Sequence, residues 1–244
     1  MNTVVIIQAR LTSSRLPGKV LKPIGPVPAI SHTISRAGLT GFKTPLAVPD
    51  GQQWEIIDAL WPRAFGPMPV YAGPEDDVLG RMAAAAMAEH ADIVVRLTGD
   101  CPFVDPRMVW TCAYGAAQHN CYVANCGVPT ARGLFPRTEP RGLDVEAFPM
   151  WALIDADLYA TEPLEREHVT PWIRANVACL PMKASTNRPD LRWLLDTQED
   201  YEWFCKLAAM IDCTPPHPTT RELLAFLKEH PEMERKDESS PTVA

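Results

Sequence analysis

The chain has no uninterrupted apolar run near the roughly 20 residues that a membrane-spanning helix needs, which argues against an integral helical membrane protein. Its first residues do not form a basic region, an apolar segment and a small-residue cleavage site in succession. No secretory leader is therefore expected, and a cytoplasmic location is the default. The 7 cysteines include no CxxC pair, Cys121 and Cys126 being nearest to each other. That spacing argues against a structural zinc site or a disulfide framework and for reduced thiols. Positive charge is not in surplus: 23 Lys and Arg against 30 Asp and Glu give a net charge of −7. Sequence-independent nucleic-acid binding, which depends on clustered cations, is disfavoured. Internal repeats and a low-complexity linker are also missing, since the 25 prolines punctuate short connections such as "PIGPVP" and "CTPPHP".

What is present is the composition of a globular protein, 46% hydrophobic and 22% charged over 244 residues, enough to bury a substantial core. Apolar strand-like runs alternate with helical patterns. "TVVIIQA" (3–9), "PLAVP" (45–49), "PVYA" (69–72), "ADIVVRLTGD" (91–100) and "CYVAN" (121–125) read as strands. Helices are expected near 28–37, 52–61, 75–90 and 106–118. In the second half, "GLDVEAF" (142–148) and "RWLLD" (192–196) read as strands. Residues 149–160, 163–176, 197–210 and 219–230 read as helices. The rhythm predicts an α/β fold with a doubly wound, mostly parallel sheet, and such sheets bind ligands at the C-terminal ends of their strands. No boundary divides residues 1–230, which are expected to form one domain. Residues 231–244 carry few large apolar side chains and are expected to be a disordered tail.

Two polar clusters follow strands. "ARLTSSRLPGK" (9–19) brings Arg10, Arg15, Lys19, Ser13, Ser14 and Gly18 together, which suits either a solvated loop or a loop curled around a phosphate. It matches neither GxxxxGK[ST] nor GxGxxG, so neither a P-loop nor a Rossmann dinucleotide site is indicated. Asp100, in "LTGDCPFVDP", could hold Mg2+ over a nucleotide phosphate or could cap a turn. Asp105 fits a helix N-cap, with Pro106 after it. Asp196 could be a cap with Glu199 as its capping-box partner, or a second metal carboxylate.

"IIQARLTSSRLPGKVLKPIG", "GPEDDVLGRM", "VVRLTGDCPFVDP", "RGLDVEAF", "EREHVTPWI" and "RWLLDTQEDYE" occur in this order across residues 6–202. Together they resemble the cytidylyltransferase family that includes spore coat polysaccharide biosynthesis enzymes, related to 3-deoxy-manno-octulosonate and N-acylneuraminate cytidylyltransferases. The resemblance implies a nucleotidyltransferase sheet of the glycosyltransferase A type, CTP as donor, Mg2+ as cofactor and pyrophosphate as by-product. It places Ala9, Arg10, Ser14, Arg15 and Lys19 around the CTP phosphates, with Arg10, Arg15 and Lys19 in catalytic roles. It makes Asp100 and Asp196 the metal carboxylates, Asp100 also touching nucleotide, and sets Asp77 and Arg81 near the base. Asn125, Arg141, Asp144, Glu146, Arg166 and His168 are then candidates for the acceptor side, where arginine would meet an acid. The implied partners are CTP and a small acidic acceptor, without nucleic acid or membrane, and a homodimer is compatible with the family. The implied reaction is CMP transfer to a sugar acid of the nonulosonic or octulosonic type for surface polysaccharides. A phosphate or phosphonate acceptor, a related nucleotide-sugar glycosyltransferase and a non-catalytic nucleotide-binding protein are the alternatives. The chain departs from the family pattern at Thr12, where many relatives have glycine and where a positive φ would strain threonine. It also has Gln198 where proline is usual, and the 126–140 loop is longer than expected.

Overall fold

The computed structural model describes residues 1–60, 68–127, 129–130, 133–134, 137–182 and 186–238. Seven strands form the central sheet: β1 (Thr3–Gln8), β2 (Leu46–Pro49), β3 (Val70–Gly73), β4 (Ile93–Thr98), β5 (Tyr122–Ala124), β6 (Glu146–Pro149) and β7 (Cys179–Pro181). Their order is β7-β5-β6-β4-β1-β2-β3. β6 runs antiparallel to β4 and β5, and the remaining pairs are parallel. The helices are α1 (Ala29–Gly38), α2 (Gln53–Leu60), α3 (Val78–Ala88), α4 (Pro106–His119), α5 (Met150–Tyr159), α6 (Pro163–His168), α7 (Pro171–Asn176), α8 (Gln198–Met210) and α9 (Thr220–Glu229).

β1 shows why an unbroken apolar run becomes a central strand. Val4 and Ile6 join Leu79 and Met82 of α3 and Leu153 of α5 in one fully buried cluster. Val5 and Ile7 point the other way, into a cluster with Ile30 and Ile34 of α1 and Val109 and Cys112 of α4. Each such side chain contributes about 1.5–3 kcal/mol through burial, so both faces demand apolar residues. A third cluster, with Phe103, Trp193, Leu195, Phe204 and Leu223, lies under the C-terminal helices. No helix among the described residues is long and apolar enough to cross a membrane.

Four expectations need correction. "RWLLD" is not a sheet strand: it is held by isolated bridges, Arg141↔Arg192 and Leu191↔Lys236. Its alternation comes from Trp193 and Leu195 entering the third cluster, a requirement for one buried side rather than for two strand neighbours. Residues 163–176 form two helices because Pro171, lacking a backbone N–H, cannot continue the hydrogen-bond ladder of α6 and stands instead at the first position of α7. The chain turns at Val169, φ 68°. β7 is an additional strand, short and without a long apolar run. Finally, the tail expected to be disordered from 231 is packed through Glu238. Trp203 Nε1 donates to the Met233 carbonyl at 2.7 Å, and Arg192 N and Asp237 N donate to the carbonyls of Arg235 and Asp190, each at 2.8 Å. Met233 joins the third cluster, and the other anchors are ion pairs and backbone bonds, which apolar content does not reveal. The 126–140 loop lies partly outside the described residues. Pro129–Thr130 and Gly133–Leu134 pair as a small ribbon within it.

Candidate active site

β1 and β4 pair in register from Thr3↔Ile93 to Gln8↔Thr98, so the chain leaves both strands at one level. Gly99 N donates to the Gln8 carbonyl at 2.8 Å. A Cβ at Gly99 would stand 3.1 Å from Ala9 Cβ, so glycine permits this close approach. The loop after Ala9 folds back on itself: Gly18, with φ 67°, donates its N–H to the Leu11 carbonyl at 2.8 Å. Gln52 fixes the outer side by accepting from Leu11 N at 2.7 Å. Thr12 donates its hydroxyl proton to Glu75 and is not among the positive-φ residues, so threonine sits there without backbone strain.

The turn at Gly18 drives Lys19 inward, where its ammonium lies 2.7 Å from Asp100 Oδ2 and 2.9 Å from Asp196 Oδ1. Arg15 Nη1 reaches the other oxygen, Asp196 Oδ2, at 2.7 Å. Two distant segments thus converge, and Leu195 N ties them by donating to the Asp100 carbonyl at 2.9 Å. Burial opposes the Lys19 charge, but the two carboxylates outweigh it and hold its pKa above the ordinary lysine value. Asp196 is not the helix cap. Thr197 caps α8 with Asp200 completing the capping box, which leaves the Asp196 carboxylate to face Lys19. Asp200, fully buried, also accepts two bonds from Arg192 at 2.9 and 2.8 Å.

A cavity of ≈ 270 Å³ opens over this cluster. It brings together Ala9, Arg10, Ser14, Arg15, Lys19, Arg81, Asp100, Arg141, His168 and Asp196 from the residues singled out in the sequence. Arg141 gets there because its carbonyl accepts from Trp193 N at 2.6 Å. That approach needs Gly142, φ 103°, since a Cβ would run into the Trp193 backbone. Arg10 is steadied by Glu167 at 3.3 Å.

The other candidates do not line the cavity. Asn125 is buried and spent on backbone, donating to the Leu143 carbonyl at 2.7 Å and accepting from Val145 N at 2.8 Å. Glu146 is locked to Arg96, Tyr122 and Thr170 behind the sheet. Asp144 pairs with Arg137. Asp77 caps α3 through Gly80 N at 3.0 Å and pairs with Arg166, which also holds Asp157. These are structural placements, set by polar groups that satisfy one another. Conversely, Arg192, Glu167 and Thr98 line the cavity without having been singled out. Arg192 had a signal: Arg192, Leu194 and Asp196 alternate with the core residues Trp193 and Leu195, so period-two spacing puts all three on the open side.

The donor set fits a divalent cation of the magnesium type. Asp100 and Asp196 present oxygens to one cation, here the Lys19 ammonium, and Mg2+ likewise takes one or two carboxylates, with phosphate and water oxygens completing its shell. Among the described residues no cluster of three or more His, Cys, Asp or Glu offers an all-protein alternative.

The chain resembles known proteins along most of its length. The family model described as cytidylyltransferase matches residues 4–230. The spore coat polysaccharide biosynthesis protein SpsF of Bacillus subtilis (strain 168) is 29% identical, covering 95% of this chain and 97% of that protein. A 3-deoxy-manno-octulosonate cytidylyltransferase of Anaeromyxobacter dehalogenans is 33% identical over 55% of each chain. A solved cytidylyltransferase from Leptospira borgpetersenii superposes with TM-score 0.82 at 26% identity, covering 96% of this chain and 97% of that one.

Proposed function

The chain belongs to the cytidylyltransferase family, and from that premise we propose that it transfers CMP from CTP to a sugar acid of the nonulosonic or octulosonic type in surface-polysaccharide biosynthesis. It is a CTP-dependent nucleotidyltransferase. The observation that carries the assignment of the site is the Lys19 ammonium bridging Asp100 and Asp196 at 2.7 and 2.9 Å beneath a cavity rimmed by arginines.

In the proposed reaction a hydroxyl oxygen of the acceptor attacks the α-phosphorus of CTP as its proton passes to solvent, and the bond from the α-phosphorus to the oxygen bridging to the β-phosphate breaks. Pyrophosphate leaves with that electron pair. Negative charge grows on the departing oxygens, where Arg10, Arg15 and Lys19 would offset it through donors already held in place. The backbone of the 9–18 loop, pinned at Leu11 and Gly18, would keep the phosphates aligned for in-line attack. Mg2+ held by Asp100 and Asp196 would supply Lewis-acid polarisation of the phosphate oxygens. Val78 and Arg81 line the cavity beside α3, where the base is proposed to lie. His168 and Arg141 occupy the side left for the acceptor. A cytoplasmic location follows from CTP as the donor.

Pyrophosphate release tests this reading. The purified protein with Mg2+ and a panel of sugar acids is expected to release pyrophosphate with CTP in clear preference to ATP, GTP and UTP. Equal use of all four nucleotides would overturn the cytidylyl assignment.

A further inference from the structure

Helix α1 buries polar side chains as well as apolar ones. Ile30, Ile34 and Ala37 enter the cluster under β1. His32, Thr33 and Arg36 are also buried, Arg36 with only 2% of its surface exposed. Burying polar groups costs stability unless each finds a partner. The partners found here are all backbone carbonyls of loops. His32 Nε2 donates to the Ile24 carbonyl at 2.9 Å, and Thr33 Oγ1 donates to the Cys101 carbonyl at 3.2 Å. Arg36 donates through Nε to the Pro102 carbonyl and through Nη2 to the Pro218 carbonyl, each at 2.8 Å.

Two of these loops carry side chains that meet in the cavity. Cys101 and Pro102 directly follow Asp100 at the exit of β4. The Asp100 carbonyl itself accepts from Leu195 N. Three successive carbonyls are thus held from outside their own loop, two of them by α1. On the other side, Ala29 N at the start of α1 donates at 2.9 Å to the carbonyl of Lys22, just beyond the turn that carries Lys19. One helix therefore grips both segments whose side chains pair as Lys19–Asp100.

Arg36 is a costly device for stability alone. Its bonds go to carbonyls and not to carboxylates, and burial lowers its pKa to about 10. The guanidinium also lies over the Phe103 ring, 5.1 Å from its centroid. What arginine offers here is a planar fork of donors, able to span two carbonyls in a fixed geometry.

Building on the proposed metal role of Asp100, we propose that Arg36 is a positioning residue of the nucleotide site and that Thr33 is a second one. Through the Pro102 and Cys101 carbonyls they fix the backbone after Asp100, and so the direction in which its carboxylate faces the cation it shares with Asp196. Neither side chain lines the cavity.

Calorimetry of CTP binding to the full chain across a Mg2+ series tests this role. The readout is the Mg2+ concentration that gives half of the enhancement. Arg36→Met keeps much of the side chain's bulk and removes both bonds. It should raise that concentration about tenfold, the lower end for losing a group that orients a metal ligand, while CTP affinity without Mg2+ changes far less. Arg36→Lys keeps the charge and can reach one carbonyl, so it should restore part of the loss. It also carries the test if the methionine variant does not fold. Thr33→Val should shift the readout only about twofold, the loss of one weak bond, because the Cys101 carbonyl keeps the Val104 N–H at 3.4 Å. Ile34→Val, on the apolar side of the same helix, should lower the melting temperature and leave the Mg2+ dependence in place. An unchanged Mg2+ dependence in the Arg36 variants, an equal loss of CTP affinity without Mg2+, or an equal shift in Ile34→Val overturns the positioning role. A wild type whose CTP binding ignores Mg2+ overturns the metal reading and this role together.

Discussion

Two stretches of the molecule are equally rich in charge and end in opposite places. Around residues 9–19 the cations converge on a cavity: Lys19 and Arg15 meet Asp100 and Asp196, and Arg10 stands at the rim. Across residues 137–166 only Arg141 reaches the cavity, and other charged groups are absorbed into the framework, as Arg137–Asp144, Arg96–Glu146 and Asp77–Arg166. Topology makes the difference. The first stretch leaves a central parallel strand at its C-terminal end, where backbone and side chains face open space. Glu146 begins an antiparallel strand wedged between β4 and β5, and its carboxylate is buried behind the sheet. Charge marks a site only where the fold leaves it room.

That contrast can be broken from either side. Glu146→Gln should cost about 3–5 kcal/mol of stability, the penalty for leaving buried Arg96 uncompensated. Urea unfolding would measure it, and turnover of the folded fraction should persist. Lost turnover at unchanged stability would move Glu146 into the site. Lys19→Gln should lower kcat/KM for CTP by about 10²–10³-fold, the range for removing a preorganised donor. Steady-state kinetics at saturating acceptor would show it, and a variant of near-wild-type efficiency would make Lys19 merely a framework cation.

Smaller effects sharpen the account of the loop. Thr12→Gly should weaken CTP binding by about fivefold, roughly 1 kcal/mol for one lost hydrogen bond, because Thr12 is bonded to Glu75 and unstrained. A gain in affinity would mean that the position favours positive φ when nucleotide is bound. The smallest change concerns pH. Carboxylates hold the Lys19 pKa above 10.5 in the folded chain, so its ion pairs are intact below the unfolded value and are lost only as pH rises through the folded one. CTP affinity measured by calorimetry should therefore show no lysine step between about pH 7.5 and 9.5. A step in that window would contradict the bridge.

Much of the fold could be read from local pattern, since β1, β4 and α4 declare themselves by apolar runs and by the Asp105 cap with Pro106 behind it. The cluster at residues 9–19 was legible for the same reason: its residues follow a recognisable strand. The proposed acceptor side was not. Asn125 and Glu146 look functional in one dimension, but their partners lie 18 to 50 residues away along the chain, and only the folded sheet shows that these partners satisfy them. The segment Arg235–Glu238 was hidden in what read as a disordered tail, because ion pairs with Asp200 and Asp237, not apolar mass, order it.

The central claim is that Lys19, Asp100 and Asp196 form one metal-dependent nucleotide site. Calorimetric titration of CTP with and without Mg2+, on the wild type and on Asp100→Asn, tests it most directly. The account predicts that Mg2+ strengthens CTP binding to the wild type and that Asp100→Asn loses that enhancement while melting at a temperature near that of the wild type. An undiminished Mg2+ enhancement in Asp100→Asn would contradict it.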